Sequence, residues 1–163
     1  MPRFKLFPQP LTKTAFAPYG DVIETEGATR FTINDGFAER FNDLAAIDVT
    51  ADGGVPLLNI FRARPRPQPI EIDLLEQHPL GSQAFIPLEQ TPFLILVAKQ
   101  PEFESLRLFI SNGRQGVNYR RGVWHYPLLA LEKQSDFVVI DRGGAGENCE
   151  VCHLEQHAWI EIE

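Results

Sequence analysis

At 163 residues, with 44% apolar and 23% charged side chains, the chain has the size and composition of one soluble domain. A globule of this length buries roughly 70% of its unfolded surface and needs no disulfide or metal staple. Fifteen basic against twenty-two acidic side chains leave a net charge of −7, a field that repels polyphosphates and excludes nucleic acid and anionic membrane surfaces as expected partners. Apolar runs such as Phe93-Leu-Ile-Leu-Val-Ala98 are far short of the roughly 20 residues of a bilayer helix. The opening Met1-Pro-Arg-Phe-Lys-Leu-Phe-Pro8 lacks a long apolar stretch and a small-residue cleavage site, so no secretory signal is read and a cytoplasmic setting is expected. Cys149 and Cys152 are too few for a disulfide framework and are expected to be reduced thiols.

Thr12 is placed to cap a single helical turn through Phe16, before Pro18. Phe37, Phe41 and Leu44 fall at i, i+4 and i+7 and predict a second short helix. From there the signal is extended. Ile70-Glu-Ile-Asp-Leu74 alternates, and Phe93 to Ala98 is apolar on both faces. Leu106 to Ile110, Gly116 to Tyr119, Phe137 to Ile140 and Val151 to Ile162, interrupted around Gln156, complete the predicted strands. Asn112-Gly113 predicts a tight hairpin between the runs on either side of it, and Arg142-Gly-Gly-Ala-Gly146 reads as a flexible loop. Thirteen prolines and twelve glycines punctuate the chain at short intervals, with no linker or repeat to divide it. The expected fold class is mainly β: a single domain over residues 1–163, built as a sandwich or barrel with a few short helices.

Cys149-Glu-Val-Cys152-His153 has the spacing of covalent haem attachment, and His157 follows at a zinc-like interval. In an extended strand, however, residues three apart face opposite ways, so the thiolates diverge; the only methionine is Met1, which leaves no thioether axial ligand. Neither haem nor a nucleotide is expected. Arg62, Arg64 and Arg66 alternate with Ala63, Pro65 and Pro67, a row able to hold a carboxylate or to protect a sheet edge. Arg62, beside the apolar Leu57 to Phe61 run, is the member placed to reach an interior. Glu76 and His78 share one side of a strand, and the turn at Pro79 to Gly81 brings Gln83 back beside them. Further on, Gly116 to Pro127 carries His125 among aromatics, with Asn118, Tyr119 and Arg121 close by.

These two segments resemble the paired signatures of the cupin superfamily, with Glu76 at the first histidine position, His78 matching the second, Gln83 in place of the glutamate and His125 as the lone final histidine. Over nearly the full length the chain is similar to the ureidoglycolate lyase family. The landmarks are Ala17-Pro-Tyr-Gly-Asp-Val-Ile23, Phe61-Arg-Ala63, Glu76-Gln-His-Pro-Leu-Gly-Ser-Gln-Ala-Phe-Ile-Pro87, Gln115-Gly-Val-Asn-Tyr119, Gly122-Val-Trp-His125 and Phe137-Val-Val-Ile-Asp-Arg-Gly-Gly144. The resemblance implies a cupin-like β-barrel or jelly roll, usually a homodimer, that splits (S)-ureidoglycolate into glyoxylate and urea in allantoin degradation. It also implies nickel or another divalent ion, with Glu76, His78, Gln83 and His125 as the candidate ligands.

For that elimination, His125 is expected to act as base or as ligand of a metal-bound base, His78 as its partner or co-ligand, and Tyr119 to share the pocket. Arg62 and Arg121 are the candidate anchors for the substrate carboxylate, and Gln83 and Asn118 are expected to read the urea amide. Two other readings stand beside it: a non-catalytic cupin-like module binding a small carboxylate or sugar, and a metal-dependent sugar-acid isomerase on the same barrel. Leu128 to Leu131 and Phe4 to Phe7 are the candidate subunit-contact stretches, with the core as their other possible home.

Overall fold

The computed structural model describes residues 3–163. Met1 and Pro2, which begin the segment read as carrying no secretory signal, lie outside the described residues. In chain order come β1 (Lys5–Leu6), β2 (Gln9–Pro10), α1 (Lys13–Phe16), β3 (Gly20–Ile23), β4 (Thr29–Ile33), β5 (Ala38–Asn42), β6 (Val55–Ala63), β7 (Ile70–Gln77) and β8 (Gln83–Pro87). They are followed by β9 (Phe93–Ala98), β10 (Arg107–Ile110), β11 (Gly116–Tyr119), β12 (Trp124–His125), β13 (Leu129–Ala130), β14 (Ser135–Gly143) and β15 (Glu150–Ile160). The first large sheet runs β1-β15-β7-β12-β9-β10-β2, with β13 also on β9; the second runs β3-β11-β8-β14-β6; among the described residues β4 and β5 pair only with each other. This is the mainly β, cupin-like arrangement with few short helices that the sequence predicts.

β9 shows why both sheets form. Phe93, Ile95 and Val97 point into the space between the sheets and pack with Phe85, Val117 and Val139. Leu94, Leu96 and Ala98 alternate with them and join Ile72, Leu75 and Leu108 in a second cluster on the other face. A strand buried on both faces must read as an unbroken apolar run, as this one does. α1 is the single capped turn expected, with the Thr12 hydroxyl accepting from Ala15 N at 3.1 Å. The expected interruption of the last strand is a register shift between His153 and Ala158.

Two local expectations are overturned. Phe37, Phe41 and Leu44 do not form a helix: Asn34, Asp35 and Gly36 all take left-handed φ and turn the chain back, so β4 and β5 make an antiparallel arm in which Phe37 follows the turn and Phe41 lies on β5. A turn that suits Asn, Asp and Gly outweighs three apolar residues at helical spacing. Asn112-Gly113 does not close a hairpin either, because β10 pairs with β9 and β2 while β11 pairs with β3 and β8. The Asn-Gly pair instead carries the chain from one sheet to the other, with Gly113 at φ 89°. β11 then runs so close to β8 that a Cβ on Gly116 would sit 2.4 Å from the Phe85 carbonyl oxygen.

Of the stretches considered for subunit contact, Leu129 to Leu131 is buried in the core, while Phe4 and Phe7 are exposed. More exposed apolar surface lies elsewhere. Val55, Leu57, Leu58, Ile60 and Phe61 of the edge strand β6 face solvent, as do Phe31, Ile33 and Phe37 of the arm.

Candidate active site

Two cross-strand pairs, one in each sheet, build the site. In the first sheet β12 lies against β7 with His125 directly opposite Glu76. In the second, β11 lies against β8 with Tyr119 directly opposite Gln83. The sheets face each other here, so the Tyr119 ring stacks on the His125 ring at 4.3 Å and an interplanar angle of 13°. His78 follows the last residue of β7, and its ring centroid lies 5.1 Å from that of His125. The two imidazoles thus stand side by side, although His125 and not His78 lines the cavity described below.

Backbone carbonyls fix how each ring presents itself. His78 Nδ1 lies 2.7 Å from Asn148 O and His125 Nδ1 lies 3.0 Å from Val123 O. A carbonyl can only accept, so each Nδ1 carries a proton, and in the neutral ring each Nε2 keeps its lone pair. Among the described residues both Nε2 atoms are buried without a hydrogen-bond partner, and so is Gln83 Oε1. The Gln83 amide is oriented by Asp141, whose Oδ2 accepts from Gln83 Nε2 at 3.3 Å and whose Oδ1 accepts from Asn59 Nδ2 at 3.0 Å. With its NH2 engaged there, Gln83 turns its oxygen away from Asp141.

Glu76 completes the cluster, with Oε1 3.5 Å from His125 Nε2, ion-pair range and the limit of a hydrogen bond. When His125 is protonated, a hydrogen bond from its Nε2–H holds the Glu76 carboxyl below the usual carboxylate range, opposed by burial and aided by the charge of His125 and then of His78. Glu76 is therefore an anion at neutral pH. Donor atoms of Glu76, His78 and His125 all lie within 4.8 Å of one another. A carboxylate, two imidazole lone pairs and an amide oxygen are all acceptors, buried at a cost unless something positive satisfies them. That donor set fits a divalent cation with mixed nitrogen and oxygen ligands.

A cavity of about 330 Å³ opens beside this cluster, lined by Glu76, Gln83 and His125 and walled by Phe61, Phe85 and Leu128. Burial, then the nearby Glu76 charge, pushes the Tyr119 phenol far up, so Tyr119 stays protonated and serves as the platform under His125. Cys149 lies at the edge of the cluster, its Sγ 4.0 Å from Glu76 Oε2, and is a free thiol raised by burial and by the Glu76 charge.

Of the expected substrate contacts, Asn118 and Arg121 lie away from the cavity, and Arg62 stands at its rim with its guanidinium turned outward. Asn118 alternates with Val117 and Tyr119, so it leaves the opposite face of β11 and donates to Asp21 Oδ2 and Ala46 O. Arg121 sits past the end of β11, where its guanidinium grips Asp48 at 3.0 and 2.9 Å and ties down the loop before β6. Arg62 lines the cavity rim, but its side chain alternates with Phe61 and Ala63 and meets Asp136 on the outer face through two bonds of 2.8 and 3.0 Å. Arg64 and Arg66 end on Gln134 and the Tyr126 hydroxyl, so no guanidinium row forms. The sequence reading missed Asp141, Asn59 and Asn148. Asp141 stands inside one of the landmark runs, while the other two carry no local signal.

The sequence profile of the ureidoglycolate lyase family matches residues 3–161. The chain belongs to this family. Among curated relatives, the ureidoglycolate lyase of Burkholderia cepacia is 56% identical over 156 residues, 94% of this chain and 88% of that protein. That of Pseudomonas syringae pv. tomato is 54% identical over 158 residues, 95% and 93% of the two chains. That of Azotobacter vinelandii is 54% identical over 145 residues, 87% of each. Family membership thus rests on nearly the whole chain, the cavity and its donors included.

Proposed function

We propose that this chain is a lyase that splits (S)-ureidoglycolate into glyoxylate and urea, with the ureide supplied by allantoin breakdown in the cytoplasm. The observation that carries the reading is the pair of imidazoles, each held by a carbonyl so that Nε2 faces an ionised Glu76 at a cavity. Its volume, about 330 Å³, lies at the lower end of the about 300–1,000 Å³ typical of ligand pockets and suits a small ureide. Family membership and the names of the relatives support the substrate. Among the described residues no helix is long and apolar enough to cross a membrane.

Ureidoglycolate carries a hydroxyl, a ureido nitrogen and a carboxylate on one carbon. Cleavage converts the hydroxyl to an aldehyde as the carbon–nitrogen bond breaks, so one proton leaves oxygen and one reaches nitrogen. His125 Nε2 is the acceptor for the first, with Glu76 3.5 Å away to hold the resulting imidazolium. The same proton then serves the departing nitrogen, a transfer typically worth about 10²–10⁴-fold. Tyr119 beneath the ring and Val123 O behind it restrict His125 to one orientation. Gln83 Oε1, fixed through Asp141, offers an acceptor to the N–H groups of the urea.

Glu76, His78, Gln83 and His125 would hold a divalent cation, nickel being the one the resemblance implies, and such an ion supplies Lewis-acid polarisation of a bound oxygen. His125 Nε2 and Gln83 Oε1 take the proton and amide roles above only where they are not engaged as ligands. The test is to supply (S)-ureidoglycolate to protein purified without nickel resin and to measure glyoxylate, urea and ammonia. Equimolar glyoxylate and urea without ammonia are expected, and their absence, with the protein folded and divalent ions resupplied, would refute the proposal. In the same preparation His125→Ala is expected to lower kcat by about 10²–10⁴-fold. Metal content and the thermal shift on chelation report the ion independently of turnover.

A further inference from the structure

Gln83, Asp141 and Asn59 form a polar row on the inner face of the second sheet. Cross-strand partners share a face, so Val139, opposite both Phe85 and Asn59, fixes which side turns to the gap between the sheets. Val139 and Phe85 belong to the core cluster in that gap. Asp141, two residues beyond Val139, and Gln83, two before Phe85, therefore lie on the same side. Gln83 lines the cavity, whereas Asn59 and Asp141 do not. The row runs back from the cavity wall: Gln83 Nε2 donates to Asp141 Oδ2 at 3.3 Å, and Asn59 Nδ2 donates to Asp141 Oδ1 at 3.0 Å and to Val139 O at 3.3 Å.

This row carries a direction. A carboxylate accepts at both oxygens, so each amide must turn its NH2 toward Asp141. Asp141 has no ion pair among the described residues, and the two amides are its side-chain partners. An amide has two ends, so committing the NH2 of Gln83 to Asp141 leaves Oε1 on the other side, where it is buried without a partner. Asn59 is held in turn by the backbone carbonyl of Val139, which cannot reverse. A strand carbonyl thus orients one amide, a carboxylate passes the direction on, and the second amide ends the row at the cavity as an acceptor. Either use of Gln83, toward a ureido N–H or toward a cation, needs its oxygen on that side, because an amide NH2 neither accepts a hydrogen bond nor ligates a metal.

We infer that Asn59 and Asp141 are positioning residues that fix the direction of the Gln83 amide, and that this direction makes the terminal NH2 of the ureido group a specificity determinant of the substrate. A ureide presents N–H there. An analogue whose terminal nitrogen is dimethylated presents none and leaves the Gln83 oxygen unanswered, the situation in which hydrogen-bonding sites discriminate most strongly. The direction of the amide stands on the hydrogen-bonded row alone, whereas its use in selecting substrate rests on the proposed lyase reading.

Reversing the row tests it. In Asp141→Asn the new side chain still accepts from Asn59, which Val139 O holds in place, and so turns its own NH2 to Gln83. The Gln83 oxygen must answer it, and the Gln83 NH2 swings to the cavity. Adding Asn59→Asp restores the first order at the expense of the bond to Val139 O: the carboxylate now at position 59 accepts from the amide at position 141, whose oxygen again takes the Gln83 NH2.

Solvent exchange of the Gln83 side-chain NH2, followed by NMR in protein labelled at glutamine nitrogen, is expected to be slow in wild type, at least about tenfold faster in Asp141→Asn, and slow again in the double variant. The kcat/KM for ureidoglycolate is expected to fall at least about tenfold in Asp141→Asn, with a similar shrinkage of its preference over the dimethylated analogue, and both should return toward wild type in the double variant. The methyl groups crowd all three proteins alike, so the change in preference reports the amide direction. A folded Asp141→Asn with wild-type exchange and preference, or a folded double variant no better than Asp141→Asn, would overturn the inference. Should Asp141→Asn not fold, Asn59→Ala, which takes one donor from Asp141, decides by the same exchange: a faster rate supports the row and an unchanged rate overturns it. Should the wild type not split ureidoglycolate, the lyase reading fails, and the exchange rates still decide the direction of the amide.

Discussion

Tyr119 is where the division of labour in the site is most open to measurement. Its ring stacks on His125 and also meets Phe85 at 5.7 Å and Phe16 at 6.3 Å between centroids. Truncating it to Ala removes a buried aromatic from between the sheets, a change that costs about 3–5 kcal/mol. For a chain of this length each kcal/mol lowers Tm by roughly 2–4 °C, so a fall on the order of 10 °C is expected. The same change frees the His125 ring to turn about its side-chain bonds, and kcat should fall even where the protein is fully folded. Tyr119→Phe keeps the ring and removes only a hydroxyl that burial holds in its protonated form. It should therefore stay within about 1 kcal/mol of wild type in stability and within a few-fold in kcat. The assay is urea release at 25 °C beside thermal and urea unfolding of all three proteins. A loss of about 100-fold or more in kcat for a well-folded Tyr119→Phe would mean that the hydroxyl moves protons, and the platform role would be wrong.

Three other expectations follow from the same geometry. Arg121→Leu and Asp48→Ala should leave KM for the ureide unchanged and barely move Tm, because their pair is solvent-screened and lies outside the cavity; a tenfold rise in KM for Arg121→Leu would return that residue to the site. Stability should decline above about pH 10, where unfolded tyrosine ionises and buried Tyr119, raised above that value, does not. The linkage slope is at most about 1.4 kcal/mol per pH unit for one group, so urea midpoints at pH 9 and 11 should diverge more for wild type than for Tyr119→Phe. Gly116→Ala should strongly destabilise the fold, since its Cβ would meet the Phe85 carbonyl at 2.4 Å; an unchanged Tm would show that β8 and β11 can separate at no cost.

The sequence and the structure agree where the information is local. The apolar run of β9 dictates burial on both faces, Thr12 caps its turn, and Glu76 and His78 lie two apart around the end of one strand. Disagreement begins where a side chain's meaning depends on a distant partner. Arg62 was read from its neighbours, yet its direction is set by β14, which presents Asp136 from 74 residues away on the outer face. Asn118 sits beside Tyr119 in sequence, but the core claims Tyr119, and alternation then sends Asn118 the other way. Asn112-Gly113 has hairpin chemistry, but both flanking strands find better partners in different sheets. The arm shows the converse: Phe37, Phe41 and Leu44 satisfied a helical period while the three residues before them already specified a turn.

Because Glu76 and His125 ride on one sheet and Gln83 and Tyr119 on the other, the width of the gap between the sheets acts as the ruler of the candidate site. Phe93, Val97 and Val139 do not line the cavity, yet their bulk sets that width. Enlarging or shrinking them would retune turnover from within the hydrophobic interior, so variants with altered catalysis are to be sought there as much as around the mouth.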